Sequence, residues 1–240
     1  MIKKDTQGVT FAKGFTAAGV KAGIKKSGNL DVAVIYTKTQ AVVAGTFTQN
    51  KVAAAPVYVS KEVVATGTAH AIVANAGCAN ACTGQQGLDD AHKMAQIAAD
   101  ELGVNANDVI VGSTGVIGVN LPMDKLEAGI KDAVANSSAD GSGSAGRAII
   151  TTDTHSKSVT CEFELSGKTV RMGAIAKGSG MIRPNMATML CYITTDIAID
   201  QTLLQKAVSG CVEKSFNMIS VDGDMSTNDM VIVLANGEAN

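Results

Sequence analysis

Short apolar runs of strand length recur along the whole chain. Nine of them are rich in Val, Ile or Thr and are bounded by Gly, Asn or charged residues, a pattern typical of β-strands. They cover residues 32–36, 41–47, 57–59, 71–74, 109–111, 159–165, 170–175, 189–193 and 230–234. The chain is therefore predicted to be rich in strands.

Three further segments, residues 89–102, 122–135 and 200–212, have the helical spacing of apolar residues instead. Asp89 or Asp90 caps the first and Gly103 ends it, Pro122 opens the second, and Asp200 caps the third. Many strands and a few helices predict a mixed α/β (α+β) fold, with mixed sheets layered with helices.

Composition narrows the classes of function. A chain of 240 residues with 46% hydrophobic residues can bury a real core. A net charge of −2 and an aromatic content of 3% give no basis for binding nucleic acid or an anionic membrane. No signal peptide is visible, and no stretch approaches the roughly 20 apolar residues of a membrane span, so we predict a cytoplasmic protein. The polar stretch 136–146 is predicted to be a mobile loop.

Two patterns match metal sites only in part. Cys78 and Cys82 lie four residues apart, but a zinc site needs two more ligands and the three histidines are not spaced to supply them. Residues 221–229 alternate acidic and polar side chains like a calcium loop, yet Thr227 stands where that loop needs Gly and Val233 where it needs Glu. We predict no bound metal and interpret 221–229 as a hydrogen-bonding loop near a site.

A loop that contains two glycines ends at Thr188, just before a predicted strand. Residues 178–188 read Gly-Ser-Gly-Met-Ile-Arg-Pro-Asn-Met-Ala-Thr, and the apolar run 189–193 follows at once. Thr188 is either an ordinary turn residue or a nucleophile held at the end of a sheet, where the loop enters the strand. The sequence contains neither a Gly-x-Ser-x-Gly elbow nor a visible His-based arrangement to activate it.

A threonine can instead be activated by its own α-amine once the chain is cut before it. The Thr188 hydroxyl would first attack the carbonyl of Ala187, which requires a strained junction. Pro184 and the glycines can impose the bend, and Ala187 adds little bulk. The freed amine, with a pKa of about 8, can then take a proton at neutral pH.

Three other features offer polar groups for a site. Residues 112–118 follow a strand as a Gly-rich turn, so backbone N–H groups and the Thr114 hydroxyl suit an oxyanion site, with a plain tight turn as the alternative. The Thr-Thr-Asp-Thr segment at 151–154 either binds a polar substrate or satisfies a turn. Lys177 either pairs with a substrate carboxylate or lies solvated at the surface.

Six ordered motifs resemble the ornithine acetyltransferase (ArgJ) family of arginine biosynthesis. The run KGSGMIRPNMATML at 177–190 is similar to the self-cleavage segment of that family. The supporting matches are KGF at 13–15 with AGVKAGIK at 18–25, NAGCANACTG at 75–84, STGVIG at 113–118, TTDT at 151–154, and SVDGD at 220–224 with STND at 226–229. One such match alone would be weak, but six in order are specific.

The resemblance implies an ArgJ/DmpA-like fold with a self-cleaving site of the N-terminal-nucleophile type. Cleavage between Ala187 and Thr188 would separate an alpha region, 1–187, from the start of a beta region, 188–240. Thr188 would carry an acetyl group from N-acetylornithine to glutamate in a ping-pong cycle. Matched position by position, Thr114 and Gly115 are the oxyanion donors, and Thr151 and Lys177, together with Thr188, bind the amino acid.

The resemblance also bears on cofactors and assembly. It implies no cofactor, although some members use acetyl-CoA as a second acetyl donor. It implies a heterotetramer of two alpha and two beta chains. The family's chain is much longer, and its C-terminal part supplies an acidic residue and a polar pair that have no counterpart up to Asn240. A strand as late as 230–234 usually needs a following element to cover it, so we expect the natural protein to continue.

Three functions remain open at this point. The first is the acetyltransferase, either transfer-only or able to use acetyl-CoA as well. The second is an aminopeptidase or other hydrolase with an N-terminal nucleophile on the same scaffold, which would release the acyl group to water. The third is an inactive folding unit that binds no substrate.

Overall fold

The computed structural model describes residues 2–4, 7–183 and 189–239. The strands of this part of the chain are β1 (Ile2–Lys4), β2 (Phe15–Val20), β3 (Val32–Phe47), β4 (Thr68–Cys78), β5 (Val109–Val116), β6 (Lys157–Leu165), β7 (Lys168–Lys177), β8 (Leu190–Thr195) and β9 (Met230–Ala235). Its α-helices are α1 (Ala55–Thr66), α2 (Gly84–Leu102), α3 (Met123–Ala135), α4 (Ser142–Ile149) and α5 (Gln201–Glu213). The predicted mixed α/β fold is confirmed.

All these strands join one sheet in the order β1-β6-β7-β8-β9-β3-β4-β5, with β2 paired along the first part of β3. The pairs β4–β5 and β8–β9 are parallel, and the other pairs are antiparallel. The sheet is therefore mixed.

The long strand β3 connects two halves of this sheet. Its first part pairs with β2 and β4, whereas residues 42–47 pair with β9, and the register of its pairing with β4 shifts between Tyr36 and Ala41. Such an irregularity lets a strand bend from one layer into another. The sheet folds back here, because side chains near the end of β7 touch β5 although four strands separate the two in the sheet order.

Strands buried on both faces explain the nearly continuous apolar runs. In β3, Ala33 and Ile35 point into an inner core between the two halves of the sheet, together with Ile232 of β9. The alternate residues of the first half pack against α2 and α3, and those of β8 and β9 pack against α5. The result is two sheet layers between two layers of helices.

The three predicted helices are confirmed as α2, α3 and α5. The predicted cap of α2 at Asp89 or Asp90 is wrong, because α2 begins at Gly84 and both residues lie inside it, whereas Gly103 ends it as predicted. Asp200 caps α5 as predicted, since its side chain accepts the N–H of Leu203 at 3.0 Å. The runs 32–36 and 41–47 are one strand, β3, and β2 has no counterpart among the predicted strands.

In two segments the prediction misses a helix. Residues 57–59, predicted as a strand, belong to α1. The prediction failed because so short an apolar run does not distinguish a strand from a buried helix. The missed signals were Pro56 in the first turn and Gly67 at the C-cap, with φ 88°. The stretch 136–146 contains the start of α4 rather than being only a loop. The Ser and Gly content of α4 disfavours a helix, but Ala148 and Ile149 are fully buried in the inner core and stabilise it through packing.

Tyr192 of β8 and Gly112 of β5 form one contact across this inner core. The Tyr192 ring is fully buried, and its hydroxyl has no hydrogen-bond partner among the described residues. A methyl group added at Gly112 would overlap that hydroxyl oxygen, but it would lie at 3.4 Å from the ring carbon that bears it. Glycine at position 112 therefore makes room for the tyrosine oxygen.

We predict opposite effects of the single substitutions and a strong coupling between them. Gly112→Ala should destabilise the protein by about 1–3 kcal/mol through overpacking. Tyr192→Phe should stabilise it by about 1 kcal/mol, because a buried unpaired hydroxyl is removed. In the Tyr192→Phe background the alanine should cost clearly less, as measured by urea unfolding in a double-mutant cycle. An alanine cost that is equal in both backgrounds would contradict this account.

Candidate active site

The ends of four strands converge at one edge of the folded sheet. Thr114 lies near the end of β5 and Lys177 is the last residue of β7. Met189 and Asp229 directly precede the parallel strands β8 and β9, whose first residues pair with each other. Residues that are far apart in sequence are thereby brought together around a buried polar cluster.

A direct hydrogen bond links two of the predicted site residues. Lys177 Nζ donates to Thr114 Oγ1 at 3.1 Å, and both residues are buried. An ammonium group has no acceptor, so the threonine oxygen must accept this bond and keeps its own hydrogen free to donate elsewhere. The arrangement therefore leaves the Thr114 hydroxyl able to donate a hydrogen bond.

The surroundings of Thr114 differ from the predicted exposed turn. Strand β5 continues to Val116, so residues 112–116 belong to a strand and Thr114 is only 7% exposed. Gly115, in contrast, is exposed and has a φ of 135°. A Cβ atom at this position would overlap the backbone of Gly77 and Cys78, so only glycine fits where β5 approaches β4.

The charge of Lys177 is held in a buried place, among other polar and charged groups. Burial lowers the pKa of the Lys177 ammonium, and the negative charges of Asp153 and Asp229 counteract that effect. The interpretation of Lys177 as a solvated surface residue is therefore wrong, since the side chain is only 4% exposed.

Asp153 connects the Thr151 segment to Lys177. Its Oδ1 accepts the N–H of Gly178 at 2.8 Å and a Lys157 Nζ proton at 2.6 Å, and its Oδ2 accepts the N–H of Thr151 at 3.4 Å. Burial alone would raise the pKa of Asp153, but these hydrogen bonds and the nearby lysine charges hold it below its ordinary value. Thr151 itself is exposed beside this anchor.

The polar loop 221–229 holds the chain on both sides of residues 184–188. Asp222 accepts the N–H groups of Met181 at 2.6 Å and Ile182 at 2.8 Å. Asp229 Oδ1 accepts the N–H of Met189 at 2.9 Å. Met181 has a φ of 58°, a region that non-glycine residues rarely adopt, so Asp222 stabilises an uncommon backbone conformation. The predicted residues Ala187 and Thr188 lie outside the described residues.

Asn228 ties the same loop to β5. Its side-chain amide donates to the carbonyl oxygens of Ala79 at 2.6 Å and Ser113 at 2.9 Å. The carbonyl of Ser113 belongs to the peptide that leads into Thr114. The loop therefore contacts both the oxyanion candidate and the start of β8.

Asp153 and Asp229 lie in motifs that the sequence singles out, but neither has a predicted role of its own. Asp229 directly precedes β9 and Asp153 lies shortly before β6, and that position was the available signal. Burial raises the pKa of Asp229 to about 7, although the Met189 N–H, the Ser226 hydroxyl and the charge of Lys177 oppose this rise.

The cysteine motif is used for hydrogen bonding in the described part of the chain. The Cys78 thiol donates to the carbonyl oxygen of Val119 at 3.1 Å, and burial raises its pKa. Over residues 2–4, 7–183 and 189–239, no three His, Cys, Asp or Glu side chains are grouped so as to hold a metal ion. The same residues include no helix with the length and apolarity that crossing a membrane requires.

Comparison with known proteins identifies the family. A model described as the ArgJ family matches residues 16–240. A curated relative from Symbiobacterium thermophilum, named arginine biosynthesis bifunctional protein ArgJ, is 52% identical over 97% of this chain. The match covers 58% of that relative, so this chain spans a little more than half its length.

Two solved structures are similar in fold. The ornithine acetyltransferase of Mycobacterium tuberculosis, complexed with ornithine, has a TM-score of 0.70 at 38% identity, covering 79% of this chain and 100% of that chain. The l-aminopeptidase d-ala-esterase/amidase of Ochrobactrum anthropi, described as a variant of the Ntn hydrolase fold, has a TM-score of 0.56 at 12% identity, covering 99% and 76%, and shows the fold alone. With its matched family model and half-identical relatives, the chain belongs to the ArgJ family.

Proposed function

We propose that the complete protein transfers an acetyl group from N-acetylornithine to glutamate through an acetylated Thr188. The proposal includes self-cleavage between Ala187 and Thr188, which would yield the regions 1–187 and 188–240 as parts of two chains. The observation that carries it is the buried hydrogen bond from Lys177 to Thr114, next to the strand that follows Thr188.

This hydrogen bond supports an oxyanion site. As an acyl group is attacked, its carbonyl oxygen becomes negatively charged and needs fixed donors. The Thr114 hydroxyl keeps a hydrogen free for this purpose, and the nearby Lys177 charge favours an anion. Gly115, exposed beside Thr114, would supply a backbone N–H as the second donor.

The proposed transfer proceeds in two steps. The freed α-amine of Thr188 takes the proton of its own hydroxyl, and the hydroxyl oxygen attacks the acetyl carbonyl of N-acetylornithine. Ornithine leaves with the proton, and an acetyl ester remains on Thr188. The amine of glutamate then attacks this ester, which forms acetylglutamate and restores the hydroxyl.

The charges of the site support amino-acid substrates. Lys177 can pair with the carboxylate of an amino acid, and the exposed Thr151 beside Asp153 can donate a further hydrogen bond. We also propose acetyl-CoA as a second acetyl donor, since the curated relative is named bifunctional. A heterotetramer of two alpha and two beta chains in the cytoplasm completes the proposal.

Intact mass under denaturing conditions tests the cleavage. The protein, expressed at the length of its curated relatives, should give two fragments that meet at Ala187-Thr188, and Thr188→Ala should give one uncut species. Thr188→Ser is the matched control, because it keeps a hydroxyl and should still cleave. A Thr188→Ala variant that cleaves at the same bond would exclude Thr188 as the nucleophile.

Substitution of Thr114 tests the oxyanion site. In the cleaved enzyme, Thr114→Val should lower kcat for transfer from N-acetylornithine to glutamate by about 10²–10³-fold, because one oxyanion donor is lost. Thr114→Ser retains the hydroxyl and should stay within about tenfold of the parent.

Two readouts make this test decisive. Thermal unfolding of the valine variant controls for the lost hydrogen bond to Lys177. Product analysis then separates transfer from hydrolysis: acetate instead of acetylglutamate, at saturating glutamate, would favour the hydrolase. A valine variant with unchanged kcat would contradict the role of Thr114.

A further inference from the structure

Self-cleavage needs a proton acceptor that the later transfer reaction does not need. Before cleavage the nitrogen of Thr188 is part of a peptide bond and cannot act as a base. The Thr188 hydroxyl must nevertheless lose its proton as it attacks the Ala187 carbonyl. The inference rests on the proposed function and identifies the group that accepts the Thr188 hydroxyl proton before cleavage.

Asp229 forms a hydrogen bond to the peptide group that directly follows Thr188. Its Oδ1 accepts the N–H of Met189 at 2.9 Å, and that nitrogen belongs to the peptide joining Thr188 to Met189. Only a few covalent bonds separate this nitrogen from the Thr188 hydroxyl. The carboxylate is thus anchored to the peptide nitrogen that directly follows Thr188 in the chain.

The other oxygen of Asp229 is available. The residue has no solvent exposure, and Oδ2 has no well-formed hydrogen bond to any described residue, although the Ser226 hydroxyl is nearby. An unsatisfied buried carboxylate oxygen is costly, so its retention calls for an explanation. An oxygen that accepts a proton during the reaction provides one.

Other carboxylates near the segment are less suited. Asp222 is exposed, and backbone N–H groups of Met181 and Ile182 lower its pKa, so it is a weak proton acceptor. Both oxygens of Asp153 are occupied, and Lys157 forms an ion pair with it. Asp229 alone among these three combines burial, a free oxygen and a bond to the Met189 peptide.

We propose that the Asp229 carboxylate starts self-cleavage by accepting the Thr188 hydroxyl proton while it holds the Met189 N–H. A bond forms between the Thr188 hydroxyl oxygen and the Ala187 carbonyl carbon as the proton moves to Oδ2. The bond from that carbon to the Thr188 nitrogen then breaks, and Asp229 returns the proton to the departing nitrogen. Water hydrolyses the resulting ester, which leaves a carboxylate on Ala187 and a free amine on Thr188.

The electrostatic surroundings of Asp229 place its ionisation near neutral pH. Burial raises its pKa to about 7, and Lys177 on β7 is the charged group that faces it. Behind Lys177 lie Asp153, Lys157 and Lys25, which interact with the charge of Lys177. Self-cleavage should therefore accelerate as pH rises through about 7, because the carboxylate form is the acceptor.

The test follows the cleavage rate of the freshly purified precursor, at the length of the curated relatives, by intact mass from about pH 5.5 to 8.5. The parent rate should rise through this range, and Asp229→Asn should cleave about 10²–10⁴-fold more slowly with a flat profile. Asparagine can still accept the Met189 N–H, so the anchor is retained. Asp229→Glu should recover part of the rate.

Asp196→Asn is a matched control. Asp196 is also fully buried and accepts backbone N–H groups of Lys13 and Arg171, but it follows the opposite end of β8. This variant should keep the parent's pH profile. It separates loss of a buried carboxylate in general from loss of the one next to Met189.

Stability measurements check the ionisation independently. A carboxyl group with a raised folded-state pKa keeps its proton in the folded protein while the unfolded chain loses it, so folding stability falls as pH rises from about 4 to 7. Asp229→Asn lacks this penalty, and its melting temperature relative to the parent should increase over that interval.

The outcomes distinguish the two proposals. A parent that cleaves at the same rate across the pH range overturns the role of Asp229 even if no variant folds, and so does an Asp229→Asn protein that cleaves with the parent's profile. Both results leave the acetyltransferase proposal intact. A parent that never cleaves, at any pH, overturns the self-cleavage of the proposed function and this inference with it.

Discussion

The inner apolar core between the two halves of the sheet is the constraint on which the site depends. The two halves are joined through β3, and packing such as that of Tyr192 against Gly112 holds their inner faces together. Only this folding back lets the end of β7 reach the end of β5, which lies five strands away in the sheet order. The hydrogen bond between Lys177 and Thr114 is thus a consequence of core packing rather than its cause.

The site keeps ionisable groups where water is largely excluded, and this placement has two physical effects. Burial disfavours the charged forms of both Lys177 and Asp229, so each shifts toward neutrality. In the same low-dielectric place their mutual attraction, and any attraction to a substrate anion, is stronger than at the surface. Burying these ionisable groups costs folding stability and alters their proton affinity.

The helices predicted from local sequence signals are correct, and the predictions for segments whose conformation depends on tertiary packing are not. The helix capped by Asp200 was predicted because its cap and apolar spacing are local properties. The short run 57–59 and the Ser- and Gly-rich α4 were misassigned because tertiary packing decides their conformation. Thr114, Gly115, Thr151 and Lys177 were chosen from motifs, and their roles remain proposals.

The sequence by itself determined the class of fold, the main helices, and the motifs that relate the chain to its family, because periodicity, caps and ordered residue patterns are written along the chain. Tertiary structure decided that Thr114 is buried within a strand, that Lys177 donates to it, and that Asp229 holds the Met189 peptide. These contacts join residues far apart in sequence, and their chemistry depends on burial. No local pattern encodes that burial, since it arises only when the two halves of the sheet pack face to face.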